Sequence, residues 1–189
     1  MAVAPDLASR LQPDLESARA LVPESNVVPV ALRYTDDALR QFFATARTQS
    51  WYGNTLFVIT ADHTADIDRN GQNYSEAVDY HVPLLLYMPD RIAPATHERT
   101  MQHIDIAPTV LDLLGYHEAF FCFGSSAFRH ERMPMAVTHT TGSYLAIDSS
   151  GVLRYDGSTT PSKNEKLRVL QAAIQQFNNR MVQNQLAAP

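Results

Sequence analysis

The sequence predicts an α/β fold, on three observations. Two near-continuous runs of β-branched and large apolar residues, 55–61 and 82–87, are typical of strands buried on both faces, as in a parallel sheet. Helical patterns flank these runs, so helices and strands alternate along this part of the chain. Three short strand candidates and a final helical pattern follow. We therefore expect a sheet with flanking helices, plus a small C-terminal β-meander and a terminal helix.

Residues 1–27 are predicted to form a loose lead-in, because Pro5, Pro13 and Pro23 interrupt any long helix there. The first helix begins near Pro29, since proline is tolerated at a first helical position. Apolar and small residues at alternating four- and three-residue steps share one face of this helix over about five or six turns. These residues are Val28, Leu32, Thr35, Leu39, Phe42 and Ala46.

Proline and glycine mark the next two elements. Pro83 stands near the start of the second apolar run, which is compatible with the beginning of a strand or with an edge strand. A short helix is then predicted between Asp105 and Gly115, with Pro108 in its first turn. We expect Asp105 to cap the beginning of this helix and Gly115 to cap its end.

The C-terminal part of the chain is predicted to hold the meander and the last helix. The strand candidates are 135–138, 144–147 and 152–155, with glycine and serine in the turns between them. Ser162 and Glu165 are spaced as a capping box at the start of the helix. One apolar stripe is expected to pack that helix on the sheet. The stripe consists of Leu167, Leu170, Ile174, Phe177 and Met181.

Composition bounds the classes of function. The chain has 189 residues, 45% of them hydrophobic, which suits one domain over 28–189. Its net charge is −5 and its 15 Lys and Arg residues are scattered, which argues against nucleic acid as a partner. The single cysteine excludes an intrachain disulfide. No window approaches the roughly 18 apolar residues of a membrane span, so no membrane segment is predicted in this chain.

Asp62 and His63 follow directly on the first predicted strand. Ligands of open α/β sheets bind beyond the carboxyl ends of strands, and a carboxylate and a neutral imidazole are good ligands for divalent metals. Adjacent residues of a strand point to opposite faces, so both reach one ion only if the chain leaves strand geometry here. The residues alone leave two interpretations open: a metal site, or a capping aspartate beside an incidental histidine.

A rival candidate metal site lies at 66–71. Its sequence DIDRNG matches the opening of an EF-hand calcium loop. The closing glutamate is required at position 77, where Ala77 stands, and a strand precedes the loop instead of a helix. We therefore expect an irregular polar loop here and keep a calcium-binding module as an alternative.

Several ordered blocks between about 28 and 128 resemble bacterial sulfatase-like proteins of the alkaline phosphatase superfamily, of the lipoteichoic acid synthase type. The most specific blocks are NTLFVITADHT (54–64), HVPLLLY (81–87) and HIDIAPTVLDLLG (103–115). The resemblance implies a sulfatase-like sheet that these residues form only in part. It also implies that Asp62 and His63 are two ligands of the catalytic metal, an ion of Mn, Zn, Mg or Ca.

In this family the metal activates a threonine or serine nucleophile and stabilises charge on a transferring phospho or sulfo group. The resemblance therefore implies a phospho- or sulfo-ester substrate. His81, just before the second strand, is a candidate substrate-binding residue, with a hydrogen-bonded core histidine as the alternative. Members of the family are usually anchored in the membrane, with the catalytic domain outside the cytoplasmic membrane.

The departures from the family pattern concern catalysis. The family's nucleophile and acidic metal ligand have no counterpart among these 189 residues, so no catalytic residue is assigned. We expect the chain to be the C-terminal part of such an enzyme and to be inactive alone. Its expected partner is a missing N-terminal half or another subunit, and the alternative is a non-catalytic remnant or interaction protein.

Overall fold

A computed structural model describes residues 27–64, 75–130, 132–158 and 163–186. The predicted lead-in, except for its last residue, and Ser162 lie outside these ranges. The described chain divides into two compact units: 27–64 with 80–95, and 75–79 with 96–186. Its helices and strands are α1 (Val27–Ala46), β1 (Phe57–Thr60), β2 (Leu84–Tyr87), α2 (Ile106–Leu113), β3 (Ala136–Thr140), β4 (Ser143–Asp148), β5 (Gly151–Tyr155) and α3 (Glu165–Val182).

The first unit packs α1 on a two-stranded sheet through aromatic rings. The ring of Phe43 lies 5.2 Å from that of Phe57 on β1 and 5.8 Å from that of Tyr87 on β2. The predicted helix is confirmed, but among the side chains of its apolar stripe that the structure describes, from Leu32 onward, only those at the C-terminal end are covered. Ala46 is fully buried, whereas Leu32 is 65% exposed.

β1 and β2 pair antiparallel, with Phe57 opposite Tyr87 and Thr60 opposite Leu84. The expectation of a parallel sheet with both strands buried on two faces is therefore wrong for these strands. Phe57 is buried, but Val58 and Leu85 are exposed. A continuous apolar run shows that a strand could be buried on both faces. It specifies neither the direction of the neighbouring strand nor how many layers cover it.

The second unit contains the predicted meander, whose strand order β3-β4-β5 is confirmed, and α3 packs on it. Leu170 of α3 is fully buried against Ala146 of β4 and Met135. Phe177 and Met181, which belong to the same predicted stripe, are about half exposed. At the start of α3, the side chain of Asn164 accepts a hydrogen bond from the amide of Leu167 and so caps the helix.

A polar network ties the loop 123–129 to α2. Buried Asp105 accepts hydrogen bonds from the amides of Gln102 (3.0 Å) and Ser125 (2.8 Å) through its two carboxylate oxygens. The Thr109 hydroxyl donates to the carbonyl of Asp105 at 2.6 Å and accepts from the amide of Ala127 at 3.0 Å. Asp105 is the N-cap residue of α2, as predicted, and its side chain holds the turn before the helix and the loop, through the amides of Gln102 and Ser125, instead of an amide of α2.

Asp112 makes the attachment of this loop pH-dependent. Hydrogen bonds from Arg129 and then from Ser126 lower the pKa of the Asp112 carboxyl below its ordinary value. The ionised Asp112 carboxylate therefore adds to the free energy of unfolding above about pH 4, the pKa of an aspartate in the unfolded chain. This contribution is lost as the pH falls through the lower pKa of Asp112 in the folded protein. We expect the urea midpoint of the wild-type protein to fall between about pH 4 and pH 2 more than that of Asp112→Asn. An equal fall in the two proteins would contradict this assignment.

Candidate metal site

Asp62 and His63 lie just beyond the end of β1, which finishes at Thr60. The chain bends at both residues and so leaves strand geometry. Both side chains reach solvent, with 90% of the Asp62 side chain and 79% of the His63 side chain exposed. The sequence indicated that both side chains can reach one ion only if the chain leaves strand geometry at this point. The chain does so.

Backbone groups orient the two side chains. The Asp62 carboxylate accepts a hydrogen bond from the amide of His63 at 3.0 Å. Nδ1 of His63 lies 2.7 Å from the carbonyl oxygen of Thr64. A carbonyl only accepts, so this contact assigns the ring proton to Nδ1 and leaves the lone pair on Nε2. The hydrogen bond to Thr64, followed by the charge of Asp62, raises the pKa of His63 above its ordinary value.

The donor set fits a divalent cation. Nε2 of His63 lies 3.7 Å from Oδ2 of Asp62. Zinc binds imidazole nitrogen at about 2.0–2.1 Å and carboxylate oxygen at about 2.0–2.2 Å, so two such ligands of one ion stand at most about 4.3 Å apart. Metal-bound histidines usually donate their other ring N–H to a carbonyl or carboxylate, as His63 donates to Thr64. The sequence did not predict this role of the Thr64 carbonyl, because every residue type has a backbone carbonyl and residue identity does not show which one accepts a hydrogen bond.

His81 lies at the same end of the β1–β2 sheet as this pair. The last paired residues are Thr60 and Leu84, so His81 comes before β2 at the end of the sheet where Asp62 and His63 follow β1. The side chain of His81 is exposed, so the alternative of a core histidine is wrong. No group of three or more His, Cys, Asp or Glu side chains that could hold a metal occurs in the described ranges. The structure thus places the side chains of Asp62 and His63 close together. Within the described ranges it supplies no third His, Cys, Asp or Glu ligand beside them.

The second candidate metal site cannot be compared in the same way, because 66–71 lies outside the described residues. One requirement of an EF-hand can still be assessed. The element before the loop is the strand β1, and an EF-hand needs a helix there. The calcium-binding alternative therefore stays a prediction without added support.

Comparisons with known proteins bear on the family. The family model described as Sulfatase matches residues 26–116, the stretch that holds Asp62, His63 and His81. The chain is 25% identical over 162 residues to lipoteichoic acid synthase 1 of Bacillus subtilis (strain 168), a match over 76% of this chain and 25% of that protein. It is 24% identical over 132 residues to the lipoteichoic acid synthase-like protein YvgJ of the same organism, over 62% of this chain and 21% of YvgJ.

The chain thus spans about a quarter or less of the length of these relatives. No solved structure matches it significantly. Within the part of the chain that the structure describes, no helix has both the length and the apolar character needed to cross a membrane. The resemblance found in the sequence is confirmed: over the matched residues the chain is similar to sulfatase-like proteins of the lipoteichoic acid synthase type.

Proposed function

We propose that Asp62 and His63 are two ligands of a divalent metal ion in a phospho- or sulfo-ester hydrolase or transferase. The observation that carries the proposal is their geometry, with Nε2 of His63 facing Oδ2 of Asp62 at 3.7 Å beyond the end of β1. The match of residues 26–116 to the sulfatase family supports the reaction class. Manganese, zinc, magnesium and calcium all remain candidates for the ion.

The residues of this chain position the ligands. The Thr64 carbonyl holds the His63 ring and keeps the proton of the neutral imidazole on Nδ1, which leaves Nε2 as the nitrogen that can bind a metal. The His63 amide holds the Asp62 carboxylate. A divalent cation bound there would supply Lewis-acid stabilisation of negative charge on an ester oxygen. His81, at the same end of the sheet, is proposed to contact the substrate and not the ion.

The proposal assigns neither the nucleophile nor an acidic third ligand to this chain. We infer that these groups come from a further segment of the same protein or from another subunit, and that residues 1–189 alone do not turn over an ester substrate. Hydrolysis of a generic phosphodiester or sulfate ester by the purified chain, lost in Asp62→Ala, would contradict this second part. Metal binding without turnover agrees with it.

The test of the metal proposal is calorimetric titration of the chelator-treated chain with Mn²⁺ and with Zn²⁺. We expect Asp62→Ala and His63→Ala each to raise the dissociation constant by about tenfold or more, because each removes one ligand. His81→Ala is expected to leave it unchanged. Glu118→Ala and His97→Ala remove exposed groups of the same chemistry elsewhere and serve as matched controls.

Two results would overturn this assignment. The first is wild-type affinity in both Asp62→Ala and His63→Ala. The second is binding that survives these substitutions and is abolished by Asp66→Ala with Asp68→Ala, which would favour the calcium-binding loop at 66–71.

A further inference from the structure

The side chain of Arg99 contacts two basic residues of a distant segment on the second unit, His130 through its ring and Arg132 through its backbone carbonyl. Nη1 of Arg99 lies 3.1 Å from Nδ1 of His130, and Nη2 of Arg99 donates to the carbonyl of Arg132 at 3.2 Å. Nη1 of Arg132 donates in turn to the carbonyl of Phe123 at 2.9 Å. More than 30 positions separate Arg99 from its two partners, so tertiary structure creates this cluster.

Among the residues that the structure describes, the recorded hydrogen-bond partners of Arg99 and Arg132 carry no negative charge. Arginine stays protonated in proteins, so Arg99 and Arg132 are both cations. Their hydrogen-bond acceptors are backbone carbonyls and an imidazole nitrogen, all of them neutral. Among the described residues, no carboxylate lies within ion-pair distance of either guanidinium. Nearby Arg129, by contrast, pairs with Asp112 at 3.1 Å.

The third member adds another hydrogen-bond donor. A guanidinium can only donate, so Nδ1 of His130 accepts the hydrogen bond from Arg99. The proton of the neutral imidazole is therefore on Nε2. His130 and Arg132 are exposed and Arg99 is half-buried, which leaves the unused N–H groups within reach of a solute.

We propose that Arg99, His130 and Arg132 form a binding site for a tetrahedral oxyanion, phosphate or sulfate. Guanidinium groups donate paired hydrogen bonds to such oxygens, and charge-assisted bonds of this kind are the strong ones. The carbonyl contacts of Arg99 and Arg132 already restrict both side chains, so less conformational entropy is lost when the anion binds. The cluster includes neither Asp62 nor His63, and the proposal does not depend on their function.

The test is titration of the full chain with inorganic phosphate and with sulfate, in the presence of a chelator so that no anion binds through a metal. Two-dimensional NMR spectra would report the amide shifts of residues 97–103 and 129–132. We expect Arg99→Gln and Arg132→Gln each to weaken binding of both anions by about tenfold, because each removes a charge-assisted contact. Arg168→Gln, which removes an exposed charge from α3 of the same unit, is expected to bind as the wild type.

The melting temperature of each variant without anion separates lost binding from lost folding. Arg132→Lys adds a variant that retains the charge, and we expect it to bind more tightly than Arg132→Gln. Wild-type affinity in Arg99→Gln and Arg132→Gln would overturn the proposal, as would equal weakening by Arg168→Gln, which indicates general screening. Absence of a phosphate- or sulfate-induced shift in a folded wild-type protein would overturn it too.

Discussion

Replacement of Gly124 by alanine is expected to destabilise the second unit by about 3 kcal/mol. A Cβ at this position would lie 2.0 Å from the carbonyl oxygen of Ile104 and 2.9 Å from the amide nitrogen of Asp105. Both atoms belong to the backbone, so no side chain can rotate away. The loop can relieve the overlap only by moving from α2, and that movement would break the hydrogen bond between the Ser125 amide and buried Asp105.

The measurement is urea denaturation followed by circular dichroism, with Gly53→Ala as the matched control. A Cβ at Gly53 would meet no atom within 4 Å. That substitution is therefore expected to change stability by less than about 1 kcal/mol. Equal stability of Gly124→Ala and the wild type would show that the loop 123–129 does not lie against the start of α2 as described.

Leu170→Ala is expected to cost about 2–5 kcal/mol, the range for removing a buried leucine from a packed core. Leu170 is fully buried in a cluster that includes residues of β3, β4 and β5, of the segment before β3 and of its own helix. The deleted methyl groups therefore leave a cavity that several elements would have to close. The same denaturation experiment measures the loss.

Leu32→Ala removes the same atoms from a side chain that is 65% exposed and is the matched control. We expect it to cost less than about 1 kcal/mol. Leu170→Met keeps the volume and should retain most of the stability. A loss in Leu170→Ala no larger than in Leu32→Ala would contradict the packing of α3 on the meander.

Local chemistry explains which parts of the fold were predictable. The meander and α2 were predicted because their signals are local, and Gly115 has the positive φ of 68° that a C-terminal cap requires. The antiparallel pairing of β1 with β2 was not predictable, because strand direction depends on partners distant in sequence. Asp105 was predicted correctly at the helix start, but its second partner, the amide of Ser125, lies 20 residues away and could not be predicted for the same reason.

The candidate metal site was predictable in identity but not in geometry. Position after a strand and the family resemblance pointed to Asp62 and His63. The bend of the chain and the Thr64 carbonyl, which present both side chains to one side, emerge only in three dimensions. The cluster of Arg99, His130 and Arg132 could not be predicted from the sequence, because its members are far apart in the chain and form no recognisable charge pattern.

Crystals of the chain soaked in Mn²⁺ would test the metal assignment most directly, through an anomalous difference map at the manganese edge. The account predicts a peak at bonding distance, about 2.2 Å, from both Nε2 of His63 and a carboxylate oxygen of Asp62. A peak at another position with none at this pair, or the two side chains turned apart around bound manganese, would contradict it.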